Sequence, residues 1–168
     1  MENYCILFAG PRGSGKTTIA SYLGAKLGLP IFSNDFIREE VTAELHKLDE
    51  AEYQKRRTIQ LDGMLKSGKS FIYDASVDRR WEELKSLLLK NNYKTFIISL
   101  DFSKQQLQEI YQIKYGTNLD EFERTFADHQ KFLKRFHKDV ALSLKDEQFL
   151  NSRESALSGI KKHIGILD

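Results

Sequence analysis

One short segment near the N-terminus combines three glycines with a lysine and a hydroxyl side chain; it reads Gly10-Pro11-Arg12-Gly13-Ser14-Gly15-Lys16-Thr17. The glycines let the backbone curl, so that successive N–H groups point inward and form a nest for an anion. The lysine adds a mobile positive charge, and the threonine hydroxyl is a suitable ligand for Mg²⁺. This G-x-x-x-x-G-K-[ST] pattern predicts a phosphate-binding loop, and we expect its nucleotide contacts to extend to Thr18.

The residues on either side of this loop supply the elements that must position it. An apolar run at residues 4–9 predicts a buried strand, and Ile19, Ala20, Leu23 and Leu27 recur at helical spacing. The positive end of such a helix adds to the attraction for phosphate. The alternative is a chance glycine-rich turn, but strand, loop and helix together are the context that the motif requires.

Length and composition favour a single α/β domain spanning residues 1–168. The chain is 40% hydrophobic and 30% charged, and 26 basic against 24 acidic residues give a net charge of only +2. That charge is too small to indicate nucleic-acid binding by itself. Cys5 is the only cysteine, no apolar run approaches membrane-spanning length, and the first residues lack a signal-peptide pattern. We therefore expect a cytoplasmic protein without a membrane partner.

Alternating strands and helices predict a three-layer P-loop NTPase fold, in which a five-stranded parallel sheet is flanked by helices. The predicted strands are residues 4–9, 30–33, 70–74, 95–100 and 148–150. The predicted helices after the first are residues 34–48, 49–66, 79–90, 103–115, 118–144 and 153–163. The longest begins at Asn118, and Glu121 three residues later predicts a capping box.

Acidic residues stand near the carboxyl ends of three predicted strands: Asp35, Asp74 and Asp101. In a parallel α/β sheet these ends meet at one edge, where ligands bind. Asp74 follows an apolar strand as a Walker-B acid does, so it could hold Mg²⁺ beside Thr17. A helix cap or loop carboxylate is the alternative for Asp74, and for Asp101 the structural interpretation is favoured.

Asp35 is the candidate general base. A hydroxyl that attacks a phosphate must lose its proton, and an aspartate at the end of the strand following the phosphate loop could accept it. Arg38 lies one helical turn later on the same face, where it could keep Asp35 ionised or bind an acceptor or the transferred phosphate. The plainer alternative makes Asp35 a helix cap and Arg38 a surface charge.

Three segments resemble the small P-loop kinase family that includes polynucleotide 5′-hydroxyl kinases, with zeta-toxin, chloramphenicol and gluconate kinases as related enzymes. They are residues 10–17, 33–40 and 68–76, and the tail from Phe149 to Ser152 is similar as well. The resemblance implies that Lys16 supports phosphoryl transfer, that Thr17 binds magnesium, that Asp35 is the base and Arg38 a substrate contact. It also implies that Asp74 lies near the metal or the acceptor.

One departure from the family concerns the lid, predicted at about residues 111–124. The family usually has lid arginines that neutralise charge on the moving phosphoryl group, but residues 101–123 contain none. Lys114 and Arg124 are the candidate replacements, although each could equally be a surface charge. Loss of such an arginine costs a factor of ~10³–10⁵ in rate in related systems, so the alternative is slow turnover.

Other charged residues have plainer interpretations. The four histidines, His46, His129, His137 and His163, lack metal-ligand spacing and are interpreted as structural or surface residues. Arg56 and Arg57 belong to the helices expected to line the acceptor pocket, but a charged exposed helix accounts for them adequately. Arg79 and Arg80 match a basic pair that the resembled family often has after the third strand, and they could equally be solvated residues of a first helical turn. A solvated helix face accounts for Lys131, Lys134, Arg135 and Lys138. An acidic-substrate or nucleic-acid contact remains open for the last four.

The leading hypothesis is an ATP- and Mg²⁺-dependent phosphotransferase whose acceptor is a hydroxyl of a nucleoside, a nucleotide, a nucleic-acid end or another small metabolite. A second hypothesis is an ATP-binding regulatory module with weak or no transfer, suggested by the lid without arginine. A third is a toxin-like kinase acting on an activated sugar. The sequence leaves the acceptor, the choice between ATP and GTP, and the oligomeric state open.

Overall fold

The computed structural model describes residues 2–164 and contains one five-stranded sheet. All four strand pairings are parallel, in the order β2-β3-β1-β4-β5. The strands are β1 (Asn3–Ala9), β2 (Ile31–Ser33), β3 (Phe71–Ser76), β4 (Tyr93–Leu100) and β5 (Val140–Leu144). This confirms the predicted fold class.

Residues 2–164 form seven α-helices, of which six lie between strands and the seventh follows β5. They are α1 (Lys16–Leu27), α2 (Asn34–Leu45), α3 (Glu50–Ser67), α4 (Trp81–Lys90), α5 (Lys104–Tyr115), α6 (Asp120–Phe136) and α7 (Ser152–Ile164). Short 3-10 helices lie after α6, at His137–Asp139, and after β5, at Asp146–Gln148. Within residues 2–164, no helix combines the length and apolar character needed to cross a bilayer.

Helices cover both faces of the sheet, because alternate residues of each central strand point to opposite sides. On one face, Leu7 of β1 packs in a cluster with apolar residues of α2, α3 and α4. On the other, Ile6 and Phe8 pack with residues of α1, α5 and α7. Helix α6 contributes to both clusters, through Phe132 on the first face and Phe122 on the second. It therefore crosses from one layer to the other.

The predicted fifth strand at residues 148–150 is wrong, and so is the predicted helix through Leu144. Helix α6 ends at Phe136, and the fifth strand is β5, Val140–Leu144. The apolar residues Val140 and Leu144 fit a helical spacing of four, but they fit strand alternation equally well. Pairing of β5 with β4 decided between the two, because it satisfies hydrogen bonds along the β4 edge that a helix at these residues would leave open.

The predicted capping box at the start of α6 is also wrong. The N-cap position is Leu119, and the Asn118 side chain accepts a hydrogen bond from the Asp120 N–H. The Glu121 carboxylate is instead bonded to the Arg12 guanidinium of the phosphate loop at 2.7 Å. A charge-assisted bond to a neighbouring segment took the place of the local cap.

Candidate active site

The phosphate loop joins β1 to α1 with backbone angles that favour glycine. Gly13 and Gly15 have positive φ angles of 81° and 98°, and α1 begins immediately afterwards at Lys16. The Lys16 ammonium donates hydrogen bonds to the Gly10 and Pro11 carbonyl oxygens at 2.8 and 2.6 Å. Burial lowers the pKa of this ammonium to about 8, against the opposing effect of nearby aspartates. The loop thus holds a half-buried positive charge close to its own curled backbone.

Thr17 and Asp74 meet at the start of α1. The Thr17 hydroxyl donates a hydrogen bond to Asp74 Oδ1 at 3.1 Å. Asp74 lies within β3, two residues before the strand ends, and is mostly buried. Burial raises the pKa of its carboxyl, while the hydrogen bond from Thr17 acts in the opposite direction. A hydroxyl and a carboxylate oxygen side by side are a donor set that suits Mg²⁺.

Asp35 lies at the start of α2, but it is not the helix cap. Ser33 is the N-cap residue, and its hydroxyl accepts a hydrogen bond from the Phe36 N–H. The Asp35 side chain is therefore not needed as a cap and is 82% exposed, 3.6 Å from the Arg38 guanidinium. Arg38 in turn lies over the Tyr53 ring, 4.6 Å from its centroid. The ring restricts the guanidinium through a cation–π contact.

Arg57 lines the site, although the sequence alone favours a charge on an exposed helix for it. Its Nε donates to Asn34 Oδ1 and a terminal nitrogen donates to the Tyr73 hydroxyl, each at 3.1 Å. Both partners are neutral, and none of the ion pairs found among residues 2–164 involves Arg57. The adjacent Arg56 differs, because it is paired with Glu44 and Glu52. The tertiary contacts of α3 distinguish the two arginines, whereas in the sequence both are charges on a polar helix.

These groups line one open cavity of about 790 Å³. It brings together every predicted site residue except Pro11: Gly10, Arg12, Gly13, Ser14, Gly15, Lys16, Thr17, Thr18, Asp35, Arg38 and Asp74. The same cavity is lined by Tyr53, Gln54, Arg57, Asp78, Arg79 and Arg80. Its size is within the range of small-molecule sites.

The two candidate lid cations differ in position. Lys114 lines the cavity, and its charge is close enough to lower the pKa of Lys16. Arg124 is 58% exposed, pairs with Glu121 and is absent from the cavity wall. Arg12 also lines the cavity, with its guanidinium 4.8 Å from the Tyr115 ring centroid. Lys114 of α5 and Arg12 of the loop, the latter also paired with Glu121, therefore both line the cavity.

Asp101 and His129 form a buried cluster with Asp78 behind the loop. Asp101 is not part of the cavity wall; it lies 3.0 Å from His129 Nε2, and Asp78 lies 3.2 Å from Nδ1. Although burial opposes it, hydrogen bonding to both carboxylates raises the pKa of His129 to about 9. The structural interpretation of Asp101 agrees with these contacts, but nothing in the sequence indicates its histidine partner.

Comparison with known proteins agrees with the observed fold. The AAA_33 family model, described as an AAA domain, matches residues 5–138 of the chain. No curated protein sequence matches this chain. Among solved structures, a tunicamycin resistance protein from Deinococcus radiodurans aligns with a TM-score of 0.66 and 17% identity, covering 99% of this chain and 98% of that one.

Two kinases are similar at the same level. A gluconokinase from Sinorhizobium meliloti aligns with a TM-score of 0.61 and 16% identity, covering 95% of this chain and 92% of that one. An APS kinase from Mycobacterium tuberculosis, in complex with AMPPNP and APS, aligns with a TM-score of 0.59 and 16% identity over 95% and 98%. The family match covers most of the chain, and these structures share its fold; the chain therefore belongs to the AAA_33 family and has the fold of the small P-loop kinases.

Proposed function

We propose that this protein transfers the γ-phosphoryl group of ATP to a hydroxyl of a nucleoside, a nucleotide, a nucleic-acid end or another small metabolite. The single observation that carries the proposal is that the phosphate loop and Asp35 line the same cavity. A binding module needs the loop alone. A carboxylate that is free of capping duty and exposed to the same cavity is what transfer requires in addition.

In the proposed reaction, the acceptor oxygen forms a bond to the γ-phosphorus, and the bond from that phosphorus to the β–γ bridging oxygen breaks. The acceptor proton passes to the Asp35 carboxylate, and ADP leaves with the bond's electron pair. Lys16 and the loop N–H groups hold the phosphates throughout. Catalysis then consists mainly of orientation and charge stabilisation, as expected for phosphoryl transfer.

Thr17 and Asp74 are the residues that would hold Mg²⁺, because their oxygens are already adjacent. The bound ion would neutralise part of the charge on the phosphates. Lys114 and Arg12 are the proposed replacements for a lid arginine, since both line the cavity and Arg124 does not. Lysine lacks the arginine fork, so Lys114 would act as a point charge.

The acceptor side of the cavity favours an anionic substrate. Arg38 and Arg57 line it, and Arg57 is held only by neutral partners within the described chain. A half-buried guanidinium with unneutralised charge is well suited to a carboxylate or phosphate. We therefore propose that the acceptor carries such a group in addition to its reactive hydroxyl.

A panel of acceptors tests this function. The protein is incubated with γ-labelled ATP and Mg²⁺ together with nucleosides, nucleotides, 5′-hydroxyl oligonucleotides, sugar acids and activated sugars, and the products are identified by mass spectrometry. We expect transfer to a hydroxyl compound that bears an anionic group. ATP hydrolysis without any phosphorylated acceptor would instead favour the regulatory module.

A further inference from the structure

Three ionisable side chains are packed together behind the phosphate loop. His129, on α6, is 1% exposed and lies between Asp78, which precedes α4, and Asp101, which follows β4. The distances are 3.2 Å from Nδ1 to Asp78 Oδ1 and 3.0 Å from Nε2 to Asp101 Oδ1. The Ser99 and Ser143 hydroxyls also donate to Asp101. The cluster thus connects α6 with three strand ends.

The hydrogen-bond pattern indicates the charge of this cluster. An ionised carboxylate only accepts hydrogen bonds, so each imidazole nitrogen that faces one must carry a proton. Both nitrogens of His129 face carboxylate oxygens, an arrangement that favours the imidazolium. The cluster then holds one positive and two negative charges. The Asp101 carboxylate also accepts hydrogen bonds from two hydroxyls.

Asp78 is the member of the cluster that reaches the nucleotide site. Its Oδ2 accepts a hydrogen bond from the Gly10 N–H at 3.2 Å, and it lines the cavity beside the phosphate loop. Of the charges that act on the Lys16 ammonium, that of Asp78 has the largest effect. A bare carboxylate at this place would repel a polyphosphate, so its charge needs a counter-ion.

We propose that His129 is a positioning residue for the phosphoryl donor: its imidazolium offsets the charge of Asp78 beside the polyphosphate and fixes that carboxylate against the Gly10 N–H of the loop. The inference rests on the proposed function only in taking a nucleoside triphosphate as the ligand of the loop. It requires no acceptor and no transfer. Under this proposal α6 contributes to nucleotide affinity through His129, although His129 does not touch the nucleotide.

The test is a double-mutant cycle on nucleotide binding, measured by isothermal titration of the full chain with Mg²⁺ and AMPPNP. We expect His129→Gln to weaken binding on the order of tenfold, the effect of one unneutralised charge about 10 Å away at an effective dielectric constant of about 20. Adding Asp78→Asn should restore affinity to within about threefold of the unaltered protein. His137→Gln, an exposed histidine close by in the chain, is the matched control.

The outcomes separate this inference from a purely structural role and from the proposed function. If the histidine merely filled space, Asp78→Asn would not rescue His129→Gln, and additive losses would overturn the inference. Binding without phosphoryl transfer in the unaltered protein would remove the kinase proposal and leave this one standing. A complete absence of nucleotide binding would overturn both.

A measurement on the unaltered protein remains decisive if His129→Gln does not fold. Nitrogen-15 NMR of the imidazole at pH 7.5 reports directly whether both ring nitrogens carry protons. We expect the imidazolium pattern for His129. A neutral ring with one unprotonated nitrogen would leave Asp78 without its counter-ion and would contradict the inference.

Discussion

Arg57 illustrates how two neighbouring residues of one type can have different roles. Arg56 and Arg57 are adjacent on α3, yet Arg56 is paired with two glutamates and Arg57 faces the cavity with only neutral partners. A helix turns by about 100° per residue, so adjacent side chains meet different surroundings. Arg57 can therefore form an ion pair with an anionic substrate, whereas the charge of Arg56 is already paired within the protein.

We expect Arg57→Gln to lower kcat/KM for an anionic acceptor by about 10- to 100-fold, which corresponds to the loss of one charge-assisted hydrogen bond. The KM for ATP should change little. The measurement is steady-state kinetics with each substrate varied in turn.

Arg56→Gln is the matched control, because it removes the same charge from the next position of the helix. Its acceptor kinetics should equal those of the unaltered protein. Equal losses in the two variants would mean that overall charge, and not a contact with Arg57, matters for the acceptor.

At this scale the sequence predicted the residues whose role depends on a local motif. Residues 10–17 and Asp35 follow from the order of strand, loop and helix, and all but Pro11 line the cavity. Arg57 and His129 could not be predicted, because their roles depend on partners far away in the chain. Asp78 and Asp101 are 51 and 28 residues from His129.

At the scale of elements, the last strand was the uncertain one. The sequence from Val140 to Leu144 permits a helix or a strand, since both patterns bury residues 140 and 144. The strand conformation is selected by pairing with the edge of β4 and by packing of α7 on β5, which are contacts with other parts of the chain. The buried strands β1, β3 and β4 were predictable because long apolar runs permit few alternatives.

The close approach of Gly159 in α7 to Leu142 in β5 gives a test of the assignment of residues 140–144 to the fifth strand. A Cβ at Gly159 would lie 2.8 Å from Leu142 Cδ2, whereas one at Gly63 of α3 would meet nothing within 4 Å. Alanine is favoured over glycine in a helix by about 1 kcal/mol. We therefore expect Gly63→Ala to raise the free energy of unfolding by about that amount, and Gly159→Ala to do so by at least about 1 kcal/mol less.

Urea denaturation measures both changes, and Leu142→Ala provides the control background. With the leucine truncated, Gly159→Ala should recover the stabilisation seen at Gly63, giving a coupling energy of about 1 kcal/mol. Additive effects would show that α7 does not pack on Leu142, and the assignment of residues 140–144 to the fifth strand would lose its main side-chain support.

At the scale of the whole molecule, the buried charges of the site connect folding stability to pH. His129 has a pKa of about 9 in the folded protein against 6.5 for an ordinary histidine. Its stabilising contribution is complete below pH 6.5 and is lost as the pH rises towards 9. Lys16, whose pKa is lowered from 10.5 to about 8, has the opposite effect on the free energy of unfolding. Its contribution raises that free energy as the pH rises, but only between pH 8 and 10.5.

We therefore expect the free energy of unfolding to fall by roughly 1–2 kcal/mol between pH 6.5 and 8, where the histidine acts without the lysine. Urea denaturation at several pH values across this window measures the slope. His129→Gln should flatten it. A slope that is unchanged in this variant would mean that another group binds the proton on folding.

The central claim is that Asp35 accepts the proton of a hydroxyl acceptor whose oxygen attacks ATP. Its most direct test is transfer of labelled γ-phosphate by Asp35→Asn, with Glu40→Gln on the same helix as the control outside the cavity. We expect Asp35→Asn to transfer at least about 100-fold more slowly while its ATP dissociation constant stays within about threefold, and Glu40→Gln to behave like the unaltered protein. Transfer by Asp35→Asn at the unaltered rate would contradict the account.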